Sequence, residues 1–215
     1  GYTESTDFPT LNQYKGNSPL SDVFVTRLYF QTLPTVTTEE ISSITFTSAS
    51  GGGDVISDGK AEVTARGVCW STTENPTTAA THTTDGSVTA SLTSALTGLT
   101  PDTLYYVRAY ATNSVGTAYG NEVSFETLEP TITVTSPNGG ESWVVVTGHT
   151  ITWTSAGVEG NVKIEYSADN GDTWTEILAS TEDDGTHSWT VPDAVSDQCL
   201  VRVSEIDGTP SDTGD

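Results

Sequence analysis

Apolar residues recur at every second position along most of this chain, without the three-to-four-residue spacing of a helix. The clearest run is Tyr105, Val107, Ala109 and Ala111, which point one way, with Asn113 and Gly116 closing it. Alternation of this kind sends successive side chains to opposite faces, so it predicts a strand buried on one side. The same reading predicts strands at Ser43–Ala49, Val63–Ser71, Val88–Leu96 and Tyr119–Phe125. Further on it predicts them from Ile132, at Ile151–Trp153, at Lys163–Ser167, at Ser188–Pro192 and at Cys199–Val203. β-branched residues fill these runs, and Gly, Asn, Asp or Pro breaks them about every ten residues. No stretch predicts a helix, and the expected class is all-β.

The breaks carry as much information as the runs. Leu99-Thr100-Pro101-Asp102-Thr103-Leu104-Tyr105 holds a turn and then restarts a strand on a tyrosine. Pro101 pre-sets φ for the turn and Asp102 bonds back to its own backbone. Tyr105 can then bury its ring and return its hydroxyl to the turn, the tyrosine corner of Greek-key sandwiches. Gly51-Gly52-Gly53 is expected to bend or bulge the end of the Ser43–Ala49 strand. Trp70 is expected to fill the centre of a sandwich.

Strand and turn signals fall into two blocks of about ninety residues, each long enough to bury its own core. The connection is expected near Leu128-Glu129-Pro130, where alternation lapses and Pro interrupts, so the two sandwiches should be hinged there. Net charge is −22, from 7 basic and 29 acidic residues. It grows along the chain, from −1 over 1–33 to −8 over 34–129 and −13 over 130–215. Such a surface repels nucleic acid and anionic lipid, whose binding needs Lys and Arg clusters. It leaves two readings, a solubilising surface or one that collects divalent cations. Cys69 and Cys199 stand one to a block beside strand-like residues, which favours two separately buried thiols over a bridge. There is no Met, no leader pattern and no long apolar run, so no membrane segment is expected within these residues. A signal peptide and an anchoring tail are expected to lie outside them.

Three resemblances organise the chain. Gly1-Tyr2-Thr3-Glu4-Ser5-Thr6-Asp7-Phe8-Pro9-Thr10, followed by Ser21-Asp22-Val23-Phe24-Val25-Thr26-Arg27-Leu28, resembles a bacterial β-propeller repeat, with Arg27 where Lys is usual. It implies that 1–33 is a partial blade, the end of an upstream propeller. Ala65–Ser71 with Tyr106-Val107-Arg108-Ala109-Tyr110-Ala111-Thr112-Asn113 resembles the fibronectin type III-like modules of Bacteroidota surface proteins, implying such a sandwich over 34–129. The block 130–215 resembles the Ig-like domain first described in yeast Ser/Thr-rich wall proteins. Its four Trp suit a large core, and the family implies a further strand beyond Asp215. The expected fold is therefore two Ig/fibronectin III-like β-sandwiches in tandem, preceded by a partial β-propeller blade.

Few residues suggest chemistry. Ser167-Ala168-Asp169-Asn170-Gly171-Asp172-Thr173-Trp174 fits the Asp-box pattern of sialidases, but its chemistry is structural. Asp169 accepts backbone N–H groups inside the turn, Gly171 supplies positive φ, and Trp174 plugs beneath the hairpin. Glu182-Asp183-Asp184 sits on one loop, so it cannot flank a sugar as two glycosidase carboxylates do. It reads as a solvated turn or as a weak calcium site shared with Asp207 or Asp212. His82, His149 and His187 have no second ligand at metal spacing. Tyr14, Tyr110 and Tyr119 are candidates for a sugar platform, Tyr110 by its parity opposite to Tyr105 and Ala109. No catalytic residue and no cofactor other than calcium is expected. The functional expectation is a non-catalytic spacer, display or adhesive region of a secreted or cell-surface bacterial protein. Its partners would be neighbouring domains of its own polypeptide and a surface protein or polysaccharide. The alternative is a carbohydrate-binding accessory region of an exported polysaccharide-degrading enzyme.

Overall fold

The computed structural model describes residues 30–214, so the propeller-like stretch at 1–33 lies almost wholly outside the described residues, as does Tyr14. The described residues form two antiparallel β-sandwiches in tandem, with fifteen strands and no helix. None of them forms a helix long and apolar enough to cross a membrane.

In the first sandwich, β1 (Thr35–Thr38), β2 (Ser48–Ser57) and β5 (Ser91–Thr97) form one sheet in the order β1-β2-β5. The facing sheet runs β4 (Thr81–His82), β3 (Ala65–Ser71), β6 (Leu104–Thr112) and β7 (Thr117–Tyr119), with β8 (Val123–Glu126) also pairing β6. Its core joins Val55, Val68, Trp70, Leu96, Tyr105, Val107 and Phe125. Alternation along β5 explains the layering, since Leu92, Ser94 and Leu96 are buried while their neighbours are exposed. Arg66 is buried, and among the described residues it has no carboxylate partner. Its guanidinium instead donates to the carbonyls of Asp85, Ala90 and Ser91, stitching the 85–91 loop to β3.

Two expectations fail here. Ser43–Thr47 is not a strand: Ser43 takes φ +50°, and the Thr45 hydroxyl accepts the N–H of Ser48 at 2.9 Å, so the chain turns. The strand begins at Ser48, which puts Gly51, Gly52 and Gly53 in its middle, paired in register with Ser94, Thr93 and Leu92. None of the three has positive φ. Close approach is what requires glycine. A Cβ on Gly53 would sit 2.5 Å from Cβ of Ala109 on the facing sheet, and one on Gly52 would sit 2.5 Å from the Leu92 carbonyl oxygen.

In the second sandwich, β9 (Thr131–Ser136), β10 (Gly148–Ala156) and β13 (Thr186–Thr190) form one sheet in the order β13-β10-β9. The other runs β12 (Thr175–Glu182), β11 (Asn161–Ser167), β14 (Leu200–Glu205) and β15 (Ser211–Gly214). The core between them is Ile132, Val134, Ile151, Trp153, Val162, Ile164, Val201 and Val203.

Of the expected hinge at Leu128-Glu129-Pro130, Leu128 belongs to the first sandwich, as does Thr127 before it. Thr127 is buried, with its hydroxyl donating to the Thr100 carbonyl at 2.7 Å. Leu128 donates to the Thr45 carbonyl and accepts from Asp102 N–H, both at 3.1 Å. Only Glu129 and Pro130 remain between Leu128 and β9. Phe46 packs against Gly157 across the junction, where a Cβ would clash with the ring.

Candidate functional site

The Thr100–Tyr105 turn closes on itself. The Tyr105 ring is buried against Phe125, with ring centroids 5.8 Å apart, and its hydroxyl accepts the Thr100 N–H at 3.0 Å. Asp102 follows Pro101 at φ +46°, a region that Asp tolerates better than most residues.

The Asp-box loop joins β11 to β12 and is built around one carboxylate. Asp169 Oδ1 accepts Thr173 N–H at 2.8 Å and the Ser167 hydroxyl at 2.7 Å, while Oδ2 accepts the Thr173 hydroxyl at 2.5 Å. Those bonds, the Thr173 hydroxyl first, hold its pKa below the ordinary value. Gly171 takes φ +89° and its N–H donates to Ser167 Oγ. The Trp174 ring lies against Gly171 and under the Arg202 guanidinium, 4.0 Å from its carbon. Arg202 also donates to Glu165 at 2.6 Å. Burial alone would raise the Glu165 pKa, but Arg202 and Lys163 together bring it below the usual value.

The three acidic residues singled out for calcium do not converge. Asp183 turns inward: Oδ1 accepts the indole N–H of Trp153 at 2.6 Å and Oδ2 the Ser155 hydroxyl at 2.5 Å. Trp153 is only 3% exposed, so its N–H needs an acceptor and Asp183 supplies one. Asp184 bends back to its own turn and accepts Thr186 N–H, while Glu182 is exposed on β12. Asp207 accepts Thr209 N–H, and Asp212 accepts Val134 N–H at 2.8 Å. Among the described residues no three His, Cys, Asp or Glu side chains are grouped to hold a metal.

Three further expectations are corrected. Tyr110 does not face solvent: it is 3% exposed, donates to the Thr83 carbonyl at 2.7 Å and meets His82 edge-on. The ring crosses the neighbouring strand β3 over Gly67, which has no Cβ to obstruct it, and so reaches His82 and Thr83 beyond. Tyr119 is half-buried, capped by Arg108 at 4.9 Å and bonded to Thr78. No sugar platform forms from these two. The thiols also differ, since Cys69 is buried whereas Cys199 is exposed, and both are free. Burial pushes the Cys69 thiol up to about 11, against a smaller pull from Arg108.

Three of the four tryptophans of the second block touch its core: Trp153 is buried in it, and Trp143 and Trp189, half-buried, pack against it and with Tyr166 also line a cleft of about 410 Å³. The loop 192–199 and the start of β14 form its other side. Trp143 stacks on His149 at 4.5 Å with the planes 7° apart. The cleft draws on segments about sixty residues apart, which no local pattern in the sequence brings together.

No protein-family profile and no curated protein matches the chain. Among solved structures, the chain is similar to the sensor domain of the anti-sigma factor RsgI4 from Pseudobacteroides cellulosolvens. Identity is 20% over 45% of this chain and 96% of that one, with a TM-score of 0.35. It is also similar to the fibronectin(III)-like modules of CbhA from Clostridium thermocellum. There identity is 16% over 84% of this chain and 92% of that one, with a TM-score of 0.30. Neither likeness is close enough to carry a function across.

Proposed function

We propose that this chain is a non-catalytic structural region of a secreted or cell-surface protein, two sandwiches that space and present their neighbours. The observation that supports this reading best is the use of Asp183. Asp183 is half-buried, and both of its oxygens are spent holding Trp153 and Ser155. Asp169 is spent likewise on its own hairpin. A carboxylate committed to two donors inside a fold stabilises that fold and is poorly placed to accept a substrate proton. The acidic exterior suits a region that must stay soluble and avoid anionic surfaces.

The test is turnover by the purified chain on a panel of chromogenic glycosides, esters and phosphates. The expected result is no rate above buffer, with the Asp183→Asn protein behaving the same. A rate that falls on that substitution would overturn the proposal.

A further inference from the structure

Tandem domains joined by a short linker move against each other by default, and a hinge needs residues free to absorb changes in φ and ψ. Three features of the junction between the sandwiches remove that freedom. The first is the link itself. Leu128 N–H donates to the Thr45 carbonyl on one side, and Thr131 pairs with Ala156 on the other, so only Glu129 and Pro130 lie between. The ring of Pro130 fixes its own φ, and a residue before proline is held to extended conformations, which restricts Glu129.

The second is an aromatic ring that crosses beside the link. Phe46 stands on a turn closed twice. Thr45 N–H donates to the Ser48 carbonyl at 2.8 Å, and Ser48 N–H donates to the Thr45 hydroxyl at 2.9 Å. Leu99 N–H donates to the Thr47 carbonyl at 3.0 Å and ties that turn to the start of the tyrosine corner. Phe46 is half-buried, yet among the described residues it belongs to neither hydrophobic core. It packs instead on Gly157 of the second sandwich. Gly157 sits between Ala156, the partner of Thr131, and Val158, which packs against the second core.

The third is the glycine. Gly157 takes φ +74°, and a Cβ there would clash with the Phe46 ring. Gly160, at the other end of the same loop, also takes positive φ, at +109°, but a Cβ on it would meet nothing within 4 Å. The loop therefore asks for glycine conformation at both positions and for empty space only at 157, where the ring arrives. Any pivot about Glu129 and Pro130 has to pull Phe46 off Gly157.

We propose that the junction is a locked joint, in which Phe46 seated on Gly157 makes the two sandwiches move as one stiff body at a fixed angle. This rests on the spacing role and deepens it, because a spacer sets the direction of what it presents only if its joint is stiff.

Residual dipolar couplings of the backbone amides in the weakly aligned full chain test it. In the wild type the strands of both sandwiches should fit one alignment tensor, with equal degrees of order. Phe46→Ala removes a side chain outside both cores, so the amide spectrum away from the junction should be kept. The two degrees of order should then differ at least twofold. Gly157→Ala expels the ring from the other side and should split the tensor in the same way. Unequal order in the wild type would overturn the proposal, as would a single tensor kept by either variant. A loose joint in a chain without turnover defeats the lock alone, whereas turnover by a chain with one tensor defeats the spacing role alone.

Discussion

Replacing Asp183 separates a structural carboxylate from a metal ligand. Asp183→Ala removes the acceptor for the indole N–H of Trp153 and for the Ser155 hydroxyl. Hydrogen bonds to a charged group contribute about 1.5–3 kcal/mol, and stranding a buried donor costs about 1–3 kcal/mol. The two figures overlap for the same indole, and Ser155 is exposed enough to turn to water, so the expected loss is about 2–3 kcal/mol. Asp183→Asn keeps one acceptor oxygen and should cost about 1 kcal/mol. If the second sandwich melts by itself, about 4–8 °C per kcal/mol applies, and Asp183→Ala lowers its Tm by roughly 10–20 °C. Calorimetry with and without millimolar calcium measures both effects. The wild-type Tm should not respond to calcium, because Asp183 faces Trp153 while Asp184 faces its own turn. A wild-type Tm in Asp183→Ala, or a calcium-dependent rise abolished by that change, would refute the reasoning.

Gly53→Ala should gain about 0.5–1 kcal/mol from a stiffer unfolded chain, yet lose about 1–3 kcal/mol or more to overpacking against Ala109 and the Thr37 carbonyl. Net destabilisation in chemical denaturation is expected, and a stabilised protein would contradict the close approach. Iodoacetamide at pH 8 should label Cys199 rapidly and leave Cys69 unlabelled until the first sandwich unfolds, as peptide mass spectrometry would show. The Asp169 pKa lies below its unfolded value, so its stabilisation is present at neutral pH and is lost as pH falls through the lowered value, below about 4. A pH series of melting curves should show this acid loss in the wild type and a flatter response in Asp169→Asn.

Strands were legible where a long run kept one face buried and the other wet, as in β5, because a period of two is then enforced at each position; β1 and β15 alternate in the same way but are only four residues long, and they were missed. Ser43–Thr47 shows the same alternation without a strand, since a threonine hydroxyl there competes for the backbone. The triple glycine was misread because a glycine needed for close approach looks, in sequence, like one that ends a strand. Tyr110 defeated parity because its own ring folds over Gly67 of β3 and buries itself, while Leu104, Tyr106 and Arg108 on the same side of β6 stay exposed or half-buried. Asp183 looked like part of an acidic turn, and its partner Trp153 lies thirty positions earlier. Local pattern has no access to such pairs, and the cleft built from 137–145, 166 and 189–201 is unreadable for the same reason.

Pulling on the chain by its two ends tests the spacing role most directly, since a spacer must hold its length under load. Two separate ruptures are expected, one for each sandwich, each lengthening the chain by about 25–30 nm at roughly 3.5 Å per residue. Smooth extension without ruptures would contradict it.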